Sequence, residues 1–274
     1  MILILRKTLA ALVACAALLV AAPAVAQFEA RTAADVVQVS FLPGWRLPNG
    51  NHMAAVQITL APGWKTYWRA PGEGGVPTVI SLTEAQGVTG MSIHWPRPQV
   101  FIANGMRSIG YRGSVILPVE FSLDNHGPVS VTGQIDLGVC LDVCMPVTLD
   151  LAGLLPVQTD RVGEIGRALS DRPLTAGEAG AGHATCSVEP IADGLRVTVS
   201  VNVPPTGNDE TVVVEHRNSD VWVSEAMTRR EGNTVRGTAD VVPPDHGPFA
   251  MNRSDLRITV IGSQMAVELD GCTG

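Results

Sequence analysis

Short β-rich runs broken by glycine and proline constrain this chain more than any other feature of its sequence. Between residues 28 and 160 they are Val36-Val37-Gln38-Val39-Ser40-Phe41, Met53 to Leu60, Thr78 to Leu82, Val115 to Phe121, Val129 to Leu137 and Val147 to Leu151. β-Branched and aromatic residues suit a pleated, half-buried surface, and the Gly and Pro between them supply turns. Such a succession predicts an all-β sandwich. The style returns in Gly194 to Val201, Thr211 to Glu215, Val221 to Val223, Thr234 to Val242, Leu256 to Ile261 and Met265 to Leu269, enough for a second small sandwich. Between them Val162, Ile165 and Leu169 fall at helical spacing and predict a short connector helix, while Pro173 to Gly182, rich in Gly and Ala, reads as a flexible linker. The expected organisation is a first sandwich over 27–160, connector helix and linker over 161–182, and a second sandwich over 183–274.

The first residues carry a different signal. Arg6-Lys7, an apolar stretch from Thr8 to Ala22 and Ala24-Val25-Ala26 before Gln27 predict a secretory signal peptide over 1–26, cut after Ala26. Cys15 is then signal-peptide filler. No other apolar run is long enough to span a bilayer, so the expected product is soluble and exported. Export to an oxidising compartment makes the four remaining cysteines disulfide formers. A net charge of −7 argues against nucleic acid as a partner, and no basic amphipathic segment invites a membrane surface.

Cys140 and Cys144 cannot bond within one extended strand. Residues four apart lie about 13 Å from each other at ~3.3 Å per residue, against the ~4.4 to 6.8 Å between Cα atoms that a disulfide allows. The chain must therefore turn, and Gly138 and Pro146 read as turn signals on either side. Val139, Val143 and Val147-Thr148-Leu149 favour strand over helix, which predicts a hairpin-like redox loop. Loop length divides the labour between the two pairs. On the chain-entropy model a five-residue loop gives only about 2 kcal/mol and a loop of nearly ninety about 4.5 kcal/mol. Cys186–Cys272 is thus expected to be the structural staple, and the tight Cys140–Cys144 loop the exchangeable pair.

An ordered series of motifs goes further. Leu60-Ala61-Pro62-Gly63-Trp64-Lys65-Thr66-Tyr67-Trp68-Arg69-Ala70-Pro71-Gly72, then Trp95-Pro96-Arg97-Pro98, Ile109-Gly110-Tyr111-Arg112-Gly113, Leu117-Pro118-Val119 and Val139-Cys140 to Cys144-Met145-Pro146 resemble the periplasmic N-terminal domain of DsbD-type thiol:disulfide interchange proteins, with a closer match to their ScsB-like relatives. The second half looks like an additional β domain of longer relatives. The resemblance implies immunoglobulin-like sandwiches and a periplasmic relay of reducing equivalents. The donor would be a membrane thiol transporter of the DsbD/CcdA type, and the acceptors oxidised periplasmic thioredoxin-like proteins. It also implies that Cys144 forms the mixed disulfide and Cys140 resolves it, under a cap loop whose aromatic ring falls at Phe101. Two features depart from better-known members: the cysteine spacing is shorter, and Gln99-Val100 stand where acidic cap residues are expected. Cytochrome c maturation, disulfide isomerase recycling and peroxide defence are all compatible uses.

Exchange chemistry needs an exposed thiolate and a second thiol in reach. Asp142, lying between the sulfurs in sequence, disfavours a thiolate, so activation must come from Lys65, Arg69 or another base brought near by folding. Alternation along Trp64-Lys65-Thr66-Tyr67-Trp68 sends Trp64 and Trp68 one way with Thr66 and Tyr67 the other. Tyr67, Trp68 and Tyr111, with Phe101, are the candidate surroundings of the sulfurs, and Trp95 is assigned to the core. Two blander readings compete. C-x-x-x-C lies within zinc-ligand spacing, but His94 and His126 lack partners at ligand spacing, so neither metal nor cofactor is expected. Alternatively, all four cysteines are structural in a non-catalytic exported binding or chaperone protein.

Overall fold

In a computed structural model, residues 32–103, 105–158, 160–247 and 249–274 are described. The signal peptide over 1–26, its cleavage after Ala26, and Cys15 lie outside them. After a short helix α1 (Ala33–Val36) come β1 (Val37–Arg46), β2 (His52–Leu60), β3 (Lys65–Tyr67), β4 (Val79–Glu84), β5 (Val88–Ile93), β6 (Gln99–Ala103), β7 (Met106–Arg112), β8 (Ser114–Leu123), β9 (Val129–Cys140) and β10 (Cys144–Leu155). Helix α2 (Gly163–Ser170) follows, then β11 (Leu174–Thr175), β12 (Ala184–Ile191), β13 (Gly194–Asn202), β14 (Thr211–His216), β15 (Trp222–Val223), β16 (Met227–Glu231), β17 (Thr234–Val242), β18 (Leu256–Ile261) and β19 (Ala266–Asp270).

These strands form facing sheets, as the alternation predicts. One has the order β1-β2-β8-β5 and its partner β10-β9-β3-β7-β6, with β4 also on β9. Val56, Ile58, Leu117 and Val119 from the first meet Trp64, Trp68, Ile135, Leu137 and Val139 from the second. In the second half, β12-β13-β17-β15, with β16 also on β17, faces β11-β19-β18-β14 across a core of Val197, Val199, Val241, Ile258 and Val260. Strand β2 is buried on both faces, which is why it reads as a nearly continuous apolar run. Ala54, Val56 and Ile58 enter the first core, while Met53 and Ala55 pack with Trp45 under Ile165 of α2. The helical spacing of Val162, Ile165 and Leu169 therefore has its cause in the outer face of this sheet.

The segment read as a flexible linker is structured. Leu174 and Thr175 pair in parallel with Val267 and Glu268, and Ala176, Ala179 and Ala181 pack on the second core. Small side chains allow this close approach, and Glu178 closes the turn. Its carboxylate accepts from the Arg172 guanidinium and from the Thr175 N–H and hydroxyl, which brings it down to about 2.

Residues 33–274 form one compact unit. Within it Arg69, just past β3, reaches across to the second half: it donates to Glu215 at 2.9 Å and Glu268 at 2.5 Å while lying 4.1 Å over the Trp68 ring. All three charged side chains are mostly buried, at 13%, 18% and 29% exposure. Removing the cation would strand two carboxylates in a low-dielectric contact. Arg69→Met is expected to cost on the order of 3 kcal/mol in urea unfolding, and Arg69→Lys less.

His52 is fully buried, with Nε2 donating to the Pro43 carbonyl at 2.5 Å. Burial lowers its proton affinity below that of a free histidine, helped by nearby Arg46. The unfolded chain then binds the extra proton more readily, so stability is present above the usual histidine range and is lost as pH falls. The melting temperature is expected to drop between about pH 7 and 5, and His52→Gln to flatten that slope.

Candidate functional site

The required turn is there. Cys140 ends β9, Cys144 begins β10, and the two stand opposite each other with Leu141, Asp142 and Val143 between them. Their Cα atoms are 4.1 Å apart and the sulfurs are bonded. The register beneath them runs without a break from Val129↔Leu155 to Cys140↔Cys144. The two sulfurs are unlike in exposure. Cys140 is 5% exposed, whereas Cys144 and the turn residues are open, Val143 at 74%. Cys144 is thus the more accessible of the two residues.

Gly138 is not a turn residue. It lies within β9 opposite Pro146, and a Cβ there would come within 2.9 Å of the Tyr67 ring. A Cβ at Gly75 would meet Pro71 Cβ at 2.5 Å and the other edge of that ring at 2.8 Å. Together they form the slot that seats Tyr67, the close-approach role of glycine in a strand. The buried Tyr67 hydroxyl is 3.1 Å from Cys144 Sγ and 3.2 Å from the Gly74 carbonyl. Neither a disulfide sulfur nor a carbonyl carries a proton, so the single Tyr67 hydroxyl proton is shared between these two acceptors. Burial raises the phenol's proton affinity and keeps it a donor.

Strand alternation sorts the other candidates. Thr66 pairs with Val139 and Tyr111, and this row faces the core together with Trp64 and Trp68. Trp68 and Tyr111, expected around the sulfurs, are thus core residues on the opposite face of the sheet, and the Tyr111 hydroxyl donates to the Pro96 carbonyl at 2.8 Å. Lys65 pairs with Cys140 on one side and Arg112 on the other, on the outer face. Its Nζ donates to Ser108 Oγ at 2.8 Å. Phe101 sits on β6 opposite Ser108, in a hairpin rather than a loop, and its ring lies 5.5 Å from Lys65 Nζ and 4.6 Å from the Arg112 guanidinium. Of the two basic residues proposed as activators, Arg69 is committed to Glu215 and Glu268, and only Lys65 stands beside a cysteine.

Ser108 and Gly74-Gly75 lie outside the sequence motifs, and Gly72 and Arg112 stand in them without a role at the site. Only the clustering of glycines after Pro71 marks the Gly72–Gly75 loop. The second pair, Cys186 on β12 and Cys272 after β19, is bonded across a separation of 86 residues and ties the two ends of the second half together. Among the described residues no group of three or more His, Cys, Asp or Glu is placed to hold a metal ion, and His94 instead lies 3.2 Å from Glu120. No described helix is long and apolar enough to cross a membrane.

A β-sandwich with one open and one covered sulfur at a hairpin tip defines a class of thiol proteins built without a thioredoxin fold. Residues 32–156 match the family model of the thiol:disulfide interchange protein DsbD, N-terminal, and that segment belongs to this family. The chain is also similar to the crystal structure of the N-terminal periplasmic domain of ScsB from Proteus mirabilis. That likeness has a TM-score of 0.64 and 25% identity, over 88% of this chain and 95% of that one, so it runs on into the second half. No curated protein sequence matches the chain.

When the pair is reduced, the Tyr67 hydroxyl is set to donate to a Cys144 thiolate, and hydrogen bonds to charged groups contribute about 1.5–3 kcal/mol. Tyr67→Phe is expected to slow iodoacetamide alkylation of Cys144 about tenfold at neutral pH, measured on the reduced protein.

Proposed function

We propose that this chain is an exported thiol–disulfide exchange protein working through Cys140 and Cys144. The observation that carries the reading is the unequal exposure of two bonded sulfurs on an otherwise continuous β-ladder. In the reduced protein the Cys144 thiolate attacks a partner disulfide. A bond forms between Cys144 and one partner sulfur, and the other leaves as thiolate. Cys140 then attacks Cys144, forms the internal disulfide and releases the partner reduced by two electrons. A thiol donor must restore the pair, and the family resemblance of residues 32–156 supports a membrane thiol transporter of the DsbD/CcdA type. Oxidised thioredoxin-like proteins are the acceptors, and the periplasm is the compartment, reached with a signal peptide over 1–26.

Apolar side chains suited to such a partner are exposed in the turn, at Leu141 and Val143, and at Val76, which lies against Gly138 of β9. The β6–β7 hairpin with Phe101 serves as the cap, held by Lys65 and Arg112. Residues 27–160 carry the chemistry, and 183–274, braced by Cys186–Cys272, anchor it.

Two measurements test this. In a graded glutathione series, Cys140–Cys144 is expected to reduce while far-ultraviolet circular dichroism stays native. A Cys140→Ser variant is expected to accumulate a reductant-sensitive adduct through Cys144, identified by mass spectrometry. Reduction that occurs only together with unfolding makes the pair a structural cross-link and the chain a non-catalytic binding protein.

A further inference from the structure

Cys140 faces a difficulty that Cys144 does not. To resolve a mixed disulfide its sulfur must lose a proton, yet it is nearly buried, and burial disfavours the thiolate. Asp142 in the adjoining turn adds like charge. A cation must compensate, and the β3–β9 register puts Lys65 directly opposite Cys140. Side chains so placed have Cβ atoms about 4.5–5.5 Å apart. The partners holding Lys65 are a hydroxyl and two rings: Ser108 Oγ at 2.8 Å, Phe101 at 5.5 Å and Tyr67 at 5.8 Å. None of these cancels its charge.

We propose that Lys65 is a positioning residue for the exchange, its fixed ammonium group lowering the proton affinity of Cys140 so that the covered sulfur is ready to attack. This rests on the exchange reading above. The step it serves is the second: Cys140 gives its proton to water, its thiolate bonds to Cys144, and the Cys144–partner bond breaks with the electron pair leaving on the partner sulfur. The charged and titratable groups around Cys140 are Lys65 and Tyr67 on β3, Arg112 beyond them on β7, Cys144 on β10 and Asp142 in the turn. Burial and the neighbouring Arg112 draw the proton affinity of Lys65 itself below the usual lysine range. A cation in that position gains from an anion appearing beside it, which is the same coupling seen from the other partner.

The test isolates one thiol. In a full-length Cys15→Ser, Cys144→Ser background with the Cys186–Cys272 bond intact, ultraviolet thiolate absorbance reports Cys140 alone. Lys65→Met is expected to raise its titration midpoint by about one pH unit or more, and Lys65→Arg to leave it near the parent value. Arg112→Gln, one strand further out, is expected to move it less. An unchanged midpoint in a folded Lys65→Met protein overturns the inference, as does a rise equally large in Lys65→Arg. Lys65→Gln repeats the measurement should the methionine variant misfold. None of these titrations needs a partner, so they stand apart from the exchange reading, which fails instead when the native pair cannot be reduced in the folded protein.

Discussion

Everything at the site depends on the register that sets β9 against β10. Val129, Val131, Ile135, Leu137 and Val139 of β9 point into the core, so burial fixes which residues face outward. A slip by one position would turn every side chain to the other face and carry Cys140 into the core. With the register held by the ladder below it, the sulfur bond adds little to the hairpin: a short loop has little closure entropy to remove. Most of the hairpin's stability therefore lies in the ladder and not in the sulfur bond. By the same argument Cys186–Cys272, closing a long stretch of chain, has a constraining role that a ladder cannot replace.

Alternation in β3 then decides what surrounds the sulfurs. Odd positions Lys65 and Tyr67 share the outer face with Cys140, while Trp64, Thr66 and Trp68 face the core. The strand is short because the chain leaves the sheet after Tyr67, runs through the Gly72–Gly75 loop and returns as β4 on the lower part of β9. That excursion gives Tyr67 its slot and its second acceptor at Gly74. The charged groups close to the phenol and the two sulfurs are then Lys65, Arg112 beside it on β7 and Asp142 in the turn.

Much of this was legible in the sequence, and the residues show why. The β-rich runs, the helical spacing of Val162, Ile165 and Leu169, the need for a turn between the cysteines and the opposed faces of Trp64 and Tyr67 all follow from local periodicity, which the structure preserves. What was misread depends on contacts distant in sequence. Gly138 resembles a turn residue until the Tyr67 ring is placed against it. Tyr111 and Trp68 resemble site aromatics until pairing with Thr66 and packing assign their row to the core. The alanine-rich stretch after Pro173 has little apolar surface of its own, and only the edge of β19 gives it a partner.

Arg69 shows what the second half does for the first. It follows Tyr67 by two residues and is gripped by Glu215 and Glu268, on two strands of the other half. A buried arginine shared by two carboxylates resists displacement, since breaking either contact leaves a charge unpaired. The backbone between Tyr67 and Arg69 is held as well, by the Trp68 N–H to the Ile109 carbonyl and by the Ile109 N–H to the Pro71 carbonyl. The phenol beside Cys144 is thus fixed from below by its own sheet and from the side by the neighbouring half. A hydrogen-bond donor aimed at a sulfur acts only while its direction is kept. The second half helps to keep that direction through its grip on Arg69, two residues further along the chain.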